Sequence, residues 1–329
     1  MEVCGGHTMS IHRFGIHTLL PSNIKLISGP GCPVCVSDIR FIDMAIAYAR
    51  QPNTILATFG DLIRVPGSTS NLEVEKANGA EIRIIISPMD AIQIAKDHPE
   101  KKIILLGIGF ETTAPGSAAA VLEASRSELN NFFVLSSHKI MPPAMKALID
   151  EEVAINGYLA PGHVSTITGA GIYDFIATNY HIPVVIAGFE PTDLLHSIYM
   201  LVKQLETGHA RVEIQYKRVV KHEGNLKAQK IMHKVFQLRD EWWRGLGILP
   251  KSGLQIRSEF EHFDAEAMIP VVVEKPEEPA GCICGEILKG SSEPKDCKLF
   301  GKACKPESPV GACMVSNEGS CHAHYRYSF

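Results

Sequence analysis

From residue 24 to about residue 202 the sequence alternates short β-branched runs, turns bearing Gly or Pro, and amphipathic stretches, an order that few folds accept. The runs at 24–28, 54–59, 82–87, 103–108, 132–136, 157–160 and 184–187 read as strands. Their unbroken apolar character suits strands covered on both faces, as in a parallel sheet. The stretches at 38–50, 71–78, 89–96, 114–129, 143–151, 172–178 and 192–205 read as helices. Strand and helix in alternation predict βαβ units with right-handed crossovers, hence the α/β class.

Beyond residue 205 the texture changes. A strand with one solvated face is expected over 212–220, an amphipathic helix over 225–239 with Trp242, Trp243 and Leu246 packed where it ends, and one more strand at 253–257. The polar, proline-bearing segment 274–279 reads as a link. A chain of 329 residues suggests about two domains and an appendage. The expected division is residues 1–98, completed by 206–260, then 99–205, then a cysteine-rich part at 261–329.

The nine cysteines lie only at 4–35 and 282–321, a gap that core filler would not leave. No charged-then-apolar leader opens the chain, so a cytoplasmic protein is expected, and in a reducing cytosol such cysteines read as metal ligands or redox thiols. The formal net charge of −4, without a dense basic run, gives no footprint for nucleic acid or anionic lipid. The longest apolar runs, at 103–108 and 183–187, are too short to span a bilayer.

Five stretches carry chemistry. Cys4-Gly5-Gly6-His7 sets a thiol and an imidazole three residues apart, both good ligands for iron. Cys32-Pro33-Val34-Cys35 sits before a helix expected to begin near Ser37, where amides and helix dipole lower a thiol pKa. It reads as a redox pair, against half a zinc site or two buried thiols. In the tail Cys282, Cys284, Cys297, Cys304, Cys313 and Cys321 are too widely and unequally spaced for paired zinc knuckles, and suit a [4Fe–4S] cubane. Cys297 and Cys304 are the firmest ligands, with a choice between Cys282 and Cys284 and between Cys313 and Cys321. Finally, Gly107–Gly116 and Pro161-Gly162-His163 each follow a strand, at the edge where open α/β sheets bind ligands. Glu111 there is a base, a ligand or a helix cap, and His163 a site residue or a capping histidine. Without a Lys-Ser/Thr pair the glycine-rich loop is no Walker loop. Asp61 and Arg64 read as a local ion pair. Gly188-Phe189-Glu190-Pro191-Thr192 echoes Gly109-Phe110-Glu111-Thr112-Thr113, as a duplication or as turns reusing the same capping residues.

With MEVCGGHT, GPGCPVC, GFETTAPG, PGHVSTITG and FGKACKPESPVGACMVSNEGSC in order, the chain resembles the HypD family of hydrogenase maturation factors from Met1 to Tyr327. Members of that family carry a few tens of largely helical residues before CGGHT, whereas this chain starts at its edge. The resemblance implies a scaffold on which the Fe(CN)₂CO unit of [NiFe]-hydrogenase is assembled. Its implied partners are a small HypC-type chaperone, through which it serves the hydrogenase large subunit, and a HypE-type donor that brings cyanide as a thiocyanate. Carried over by motif, Cys4 and His7 fall at the iron-binding segment, Cys32 and Cys35 at the redox pair, and Glu111 and His163 in motifs lining the same cleft. The tail cysteines, taken as Cys282, Cys297, Cys304 and Cys321 with Cys284 and Cys313 as alternates, would hold a [4Fe–4S] cluster as in ferredoxin–thioredoxin reductase. Residues and resemblance together predict two parallel-sheet α/β domains facing a cleft, plus a small cysteine-rich iron–sulfur domain. The expected role is redox-capable scaffolding with a transient iron carrying cyanide and carbon monoxide, rather than conventional metabolic catalysis. A free-standing iron–sulfur thiol–disulfide oxidoreductase, with no use for Cys4 or His7, is the competing class, and a zinc-stabilised binding module a third.

Overall fold

The structure, a computed structural model, describes residues 1–327. An extended start leads into helix α1 (Gly5–Arg13), and α2 (Ile39–Ala49) precedes the first sheet. That sheet holds β1 (Thr54–Thr58), β2 (Glu81–Ile84), β3 (Lys102–Gly109) and β4 (Phe132–His138), all parallel, in the order β2-β1-β3-β4. Helices α3 (Leu72–Ala77), α4 (Pro88–Asp97), α5 (Ala114–Arg126) and α6 (Met141–Asp150) make the crossovers and the exit. Local sequence starts these helices: Asn71 caps α3, while Ser87 caps α4 with Pro88 in its first turn.

The unbroken apolar runs divide with period two. Leu56, Ile104, Leu106, Phe133 and Leu135 face one core, whereas Ile55, Ile103, Leu105, Phe132 and Val134 face another. This two-sided cover is the physical reason the runs carry no polar alternation.

The second sheet is β5 (Tyr158–Pro161), β6 (Val184–Ala187) and β7 (Val212–Ile214), also parallel, with α7 (Gly162–Thr168), α8 (Asp174–Tyr180) and α9 (Pro191–Thr207). Glu2 extends its β5 edge through parallel bridges to Leu159 and Ser28. Helix α10 (Leu226–Val235) and the antiparallel hairpin β8 (Phe236–Trp243) and β9 (Gly247–Ile256) return to the first sheet, where Met232, Phe236 and Leu254 share a core with Ile103 and Phe132. The tail follows α11 (Ala265–Met268) and holds α12 (Cys284–Lys289) and α13 (Ser320–Tyr327). Among the described residues no helix is long and apolar enough to cross a membrane.

The molecule is α/β with parallel sheets, but its parts are joined differently from the sequence expectation. The first sheet runs through residue 98, where a boundary was expected, because β3 pairs with β1. The CGGHT segment lies on the second sheet, not the first. Residues 24–28 form no strand beyond the single bridge at Ser28. The helix expected to reach residue 239 ends at Val235, since Phe236 opens a strand whose burial broadly alternates. The strand expected over 212–220 stops at Ile214, and residues 253–257 belong mostly to β9. The tail is not a separate body: Ile287, Leu288, Cys304, Cys313, Met314 and Val315 share one core with Leu56 and Ile104 of the first sheet and Tyr158 and Ile186 of the second. Asp61 and Arg64 form no local pair and instead pin that tail. Asp61 accepts from Ser316 Oγ at 2.8 Å, and Arg64 donates to the carbonyls of Pro306 and Val315 at 3.0 and 3.4 Å.

Candidate functional site

Cys4 is the N-cap of α1, so the Cys4-Gly5-Gly6-His7 segment is a helix start. The amides of His7 and Gly6 point at its sulfur. Beneath it Glu2 is buried, its carboxylate accepting from Cys4 N–H at 2.9 Å and from Thr8 Oγ1. A second carboxylate comes from the tail: Glu318 packs so tightly on Gly5 that a Cβ there would stand 2.4 Å from Glu318 Cβ. Burial first, then the charge of Glu318, pushes the Cys4 thiol up to about 12. Burial likewise raises Glu2 to about 7. The free thiol therefore keeps its proton at neutral pH, with the carboxyl groups of Glu2 and Glu318 as neighbours.

The CPVC segment meets this helix start directly. Gly5 N–H donates to Gly31 O at 3.0 Å, and a Cβ on Gly31 would fall 2.1 Å from Cys4 N, so only glycine fits there. Cys32 and Cys35 are joined as a disulfide and are both buried. They do not sit on the N-terminus of α2 as expected. That helix starts at Ile39 and is capped by Asp38, which accepts from Arg40 N–H. The pair occupies a separate turn in which Cys35 N–H points at Cys32 Sγ at 3.2 Å.

On the other side of Cys4 three rings pack against Phe189, from the second of the two echoed motifs: His163 stacked, His7 tilted and Tyr216 edge-on. The Phe189 ring lies 3.9 Å from His163, 4.9 Å from His7 and 5.8 Å from Tyr216, and it packs on Gly6 beside the Cys4 sulfur. His7 is fully buried, and burial lowers it to about 4, so the ring is neutral. Its Nε2 donates to Ala187 O at 3.2 Å, which leaves Nδ1 as a bare lone pair, buried and without a protein partner. His163 is exposed at the rim. Asp193 anchors this wall, held down to about 2 by the Arg218 guanidinium, which donates to it at 2.9 and 2.5 Å while lying over the Tyr216 ring.

Glu111 caps a helix, but not the one that follows it. Its Oε1 accepts from Met141 N–H at 3.0 Å, at the start of α6, while Oε2 is buried without a partner. Burial raises it to about 7. It reaches the same neighbourhood through Tyr173, whose phenol is raised first by burial and then by Glu111 and Cys4.

In the tail, Cys282, Cys284, Cys297, Cys304 and Cys321 line one apolar pocket with Ile287, Leu299, Phe300 and Met314. The Cys284 thiol is electrostatically linked to those of Cys282, Cys313 and Cys321, and Cys304 Sγ accepts from Val310 N–H at 3.3 Å. The sulfurs of Cys282 and Cys284 lie over Gly311, where a Cβ would come within 2.6 Å of each. Among the described residues no group of three or more His, Cys, Asp or Glu side chains stands ready to hold a single metal ion. A cubane asks for a different arrangement, with thiolates around an apolar cavity rather than converging on one point, and the donors and walls here fit that.

Cys4, His7, His163 and the Cys32–Cys35 turn thus come together. Sequence reasoning missed Glu2, Glu318 and Tyr216. Phe189 carried a signal in its echoed motif, and Glu318 stood within the tail motif FGKACKPESPVGACMVSNEGSC, where only the cysteines drew notice.

The HypD family model, described as "Hydrogenase formation hypA family", matches residues 1–328. The chain is 47% identical to the hydrogenase maturation factor HypD of Azotobacter vinelandii, across 99% of this chain and 88% of that protein. It is 46% identical to the hydrogenase maturation factor HypD2 of Bradyrhizobium diazoefficiens and 44% identical to HypD of Escherichia coli, with the same coverage in both cases.

Proposed function

Since the chain belongs to the HypD family of hydrogenase maturation factors, we propose that it is a scaffold on which iron receives its cyanide and carbon monoxide ligands before delivery to a [NiFe]-hydrogenase. The observation that carries this reading is the meeting at Cys4 of three remote segments: the α1 start, the CPVC turn through Gly31, and the tail through Glu318. A free-standing thiol–disulfide oxidoreductase would have no need to build its redox turn against a second, unpaired thiol.

In this reading the iron is cargo. Cys4 gives up its proton to bind it as a soft thiolate, suited to the low-spin ferrous ion that strong-field ligands demand. Glu2 and Glu318 offset the added positive charge. His7, neutral and fixed by Ala187, stands beside the iron and orients the sulfur or an incoming ligand through its bare Nδ1. A HypC-type partner contributes a further ligand, and a HypE-type donor brings cyanide as a thiocyanate. The Cys32/Cys35 dithiol, closing to the disulfide, supplies the two electrons and two protons that release such a thiocyanate as a thiol and hydrogen cyanide. Cys282, Cys297, Cys304 and Cys321 would hold a [4Fe–4S] cluster, which when bound would supply one-electron reducing power.

The test is an iron count. Complex purified anaerobically with the HypC-type partner should carry one iron more per chain than the Cys4→Ala complex, at equal acid-labile sulfide. Equal iron in both would remove Cys4 as the anchor.

A further inference from the structure

The cation that α2 does not lend to the CPVC turn comes from elsewhere. Arg244, at the tip of the β8–β9 hairpin, is 6% exposed and holds three successive carbonyls of the turn. Its backbone N–H donates to Val36 O, its Nε to Cys35 O and its Nη2 to Ser37 O, each at 3.1 Å. Nη1 pairs with Glu278 of the polar link. The next residue, Gly245, lies against Gly285 in the cysteine-rich tail, where a Cβ would come 2.5 Å from Gly285 O. The hairpin tip is thus wedged between the CPVC turn and Cys284-Gly285.

We propose that Arg244 is a positioning residue that biases the Cys32–Cys35 couple toward its reduced form. The proposal rests on the reading of this pair as a redox couple. Reduction breaks the S–S bond, takes up two electrons and two protons, and leaves two thiols. A guanidinium fixed against the turn through the Cys35 and Ser37 carbonyls favours the electron-rich sulfurs of the reduced pair, as does the Cys35 N–H aimed at Cys32 Sγ, and neither does as much for the neutral disulfide. Burial of Arg244 keeps water from screening this effect, and Glu278, whose side chain is 45% exposed, offsets only part of it.

The experiment is thiol exchange on the folded full chain. Wild type, Arg244→Met, Arg244→Lys and Glu278→Gln are equilibrated at one pH with glutathione buffers, quenched by alkylation, and the Cys32/Cys35 peptide is quantified by mass spectrometry. In this exchange two glutathiones are oxidised to one disulfide as the protein pair becomes a dithiol. Arg244→Met should lower the exchange constant at least tenfold, about 30 mV for this two-electron couple. Arg244→Lys, which keeps the charge, should stay within about threefold of wild type. Glu278→Gln, an exposed change that leaves the charge of Arg244 unbalanced, should move the constant in the opposite direction and holds the proposal to account even where Arg244→Met does not fold. Unchanged constants in folded Arg244→Met or in Glu278→Gln, or equal losses in Met and Lys variants, would reduce Arg244 to a structural pin. A wild-type pair that exchanges only on unfolding would overturn the redox reading itself.

Discussion

A buried carboxyl with one unpartnered oxygen is a costly thing to keep, and Glu111 is such a group. Its value of about 7 lies above the ordinary 4.5, with burial as the leading cause. Below about pH 4.5 both folded and unfolded chains hold the proton, and the ionisation penalty is absent. Between about 4.5 and 7 the unfolded chain ionises first, so stability falls as pH rises, and above 7 the full penalty stands, on the order of 2–4 kcal/mol. Glu111→Gln keeps an acceptor for Met141 N–H without the ionisation. It should flatten the loss of stability between pH 5 and pH 8, measured by urea unfolding. An unchanged difference between those two pH values would show that Glu111 does not carry the shift. The Gly-Phe-Glu motif marked this residue in the sequence, but the helix it caps, α6, begins thirty residues later in the chain (141 − 111) and only the fold brings it near.

At the scale of elements, the sequence exposed what depends on local pattern. Apolar runs at 103–108 and 184–187 became strands because both faces are covered, and Ser87-Pro88 started α4 as capping chemistry dictates. What failed depended on distant partners. Residues 24–28 look like a strand, but Glu2 takes the place beside β5 that they would need. The cysteine-rich tail looked like an appendage, and only packing shows that its Met314 and Val315 belong to the core of the two sheets. That packing bears on the cluster. If thiolate–metal bonds are part of the folding energy of the tail, Cys297→Ser and Cys304→Ser should each abolish iron–sulfide absorption and lower the unfolding midpoint. Two of Cys282, Cys284, Cys313 and Cys321 should instead be replaceable singly. Retention of iron and sulfide in all six single variants would contradict a cubane in this pocket.

For the whole molecule the central claim is convergence. The two sheets carry GFETT and GFEPT loops after β3 and β6, and residues 1–8 run from the second sheet to the tail, where Glu318 lies on Gly5. No spacing in the sequence announces that Glu318 will lie on Gly5 or that Gly31 will press on Cys4, since contacts of that range are made only by the finished fold. The measurement that tests the result most directly is infrared spectroscopy of the complex purified with the HypC-type partner, because cyanide and carbon monoxide stretches fall in a window empty of protein bands. Wild-type complex should show both, and Cys4→Ala complex, with fold and tail cluster intact, should show neither. Bands of undiminished intensity in the Cys4→Ala complex would contradict the assignment of Cys4 as the anchor of the iron.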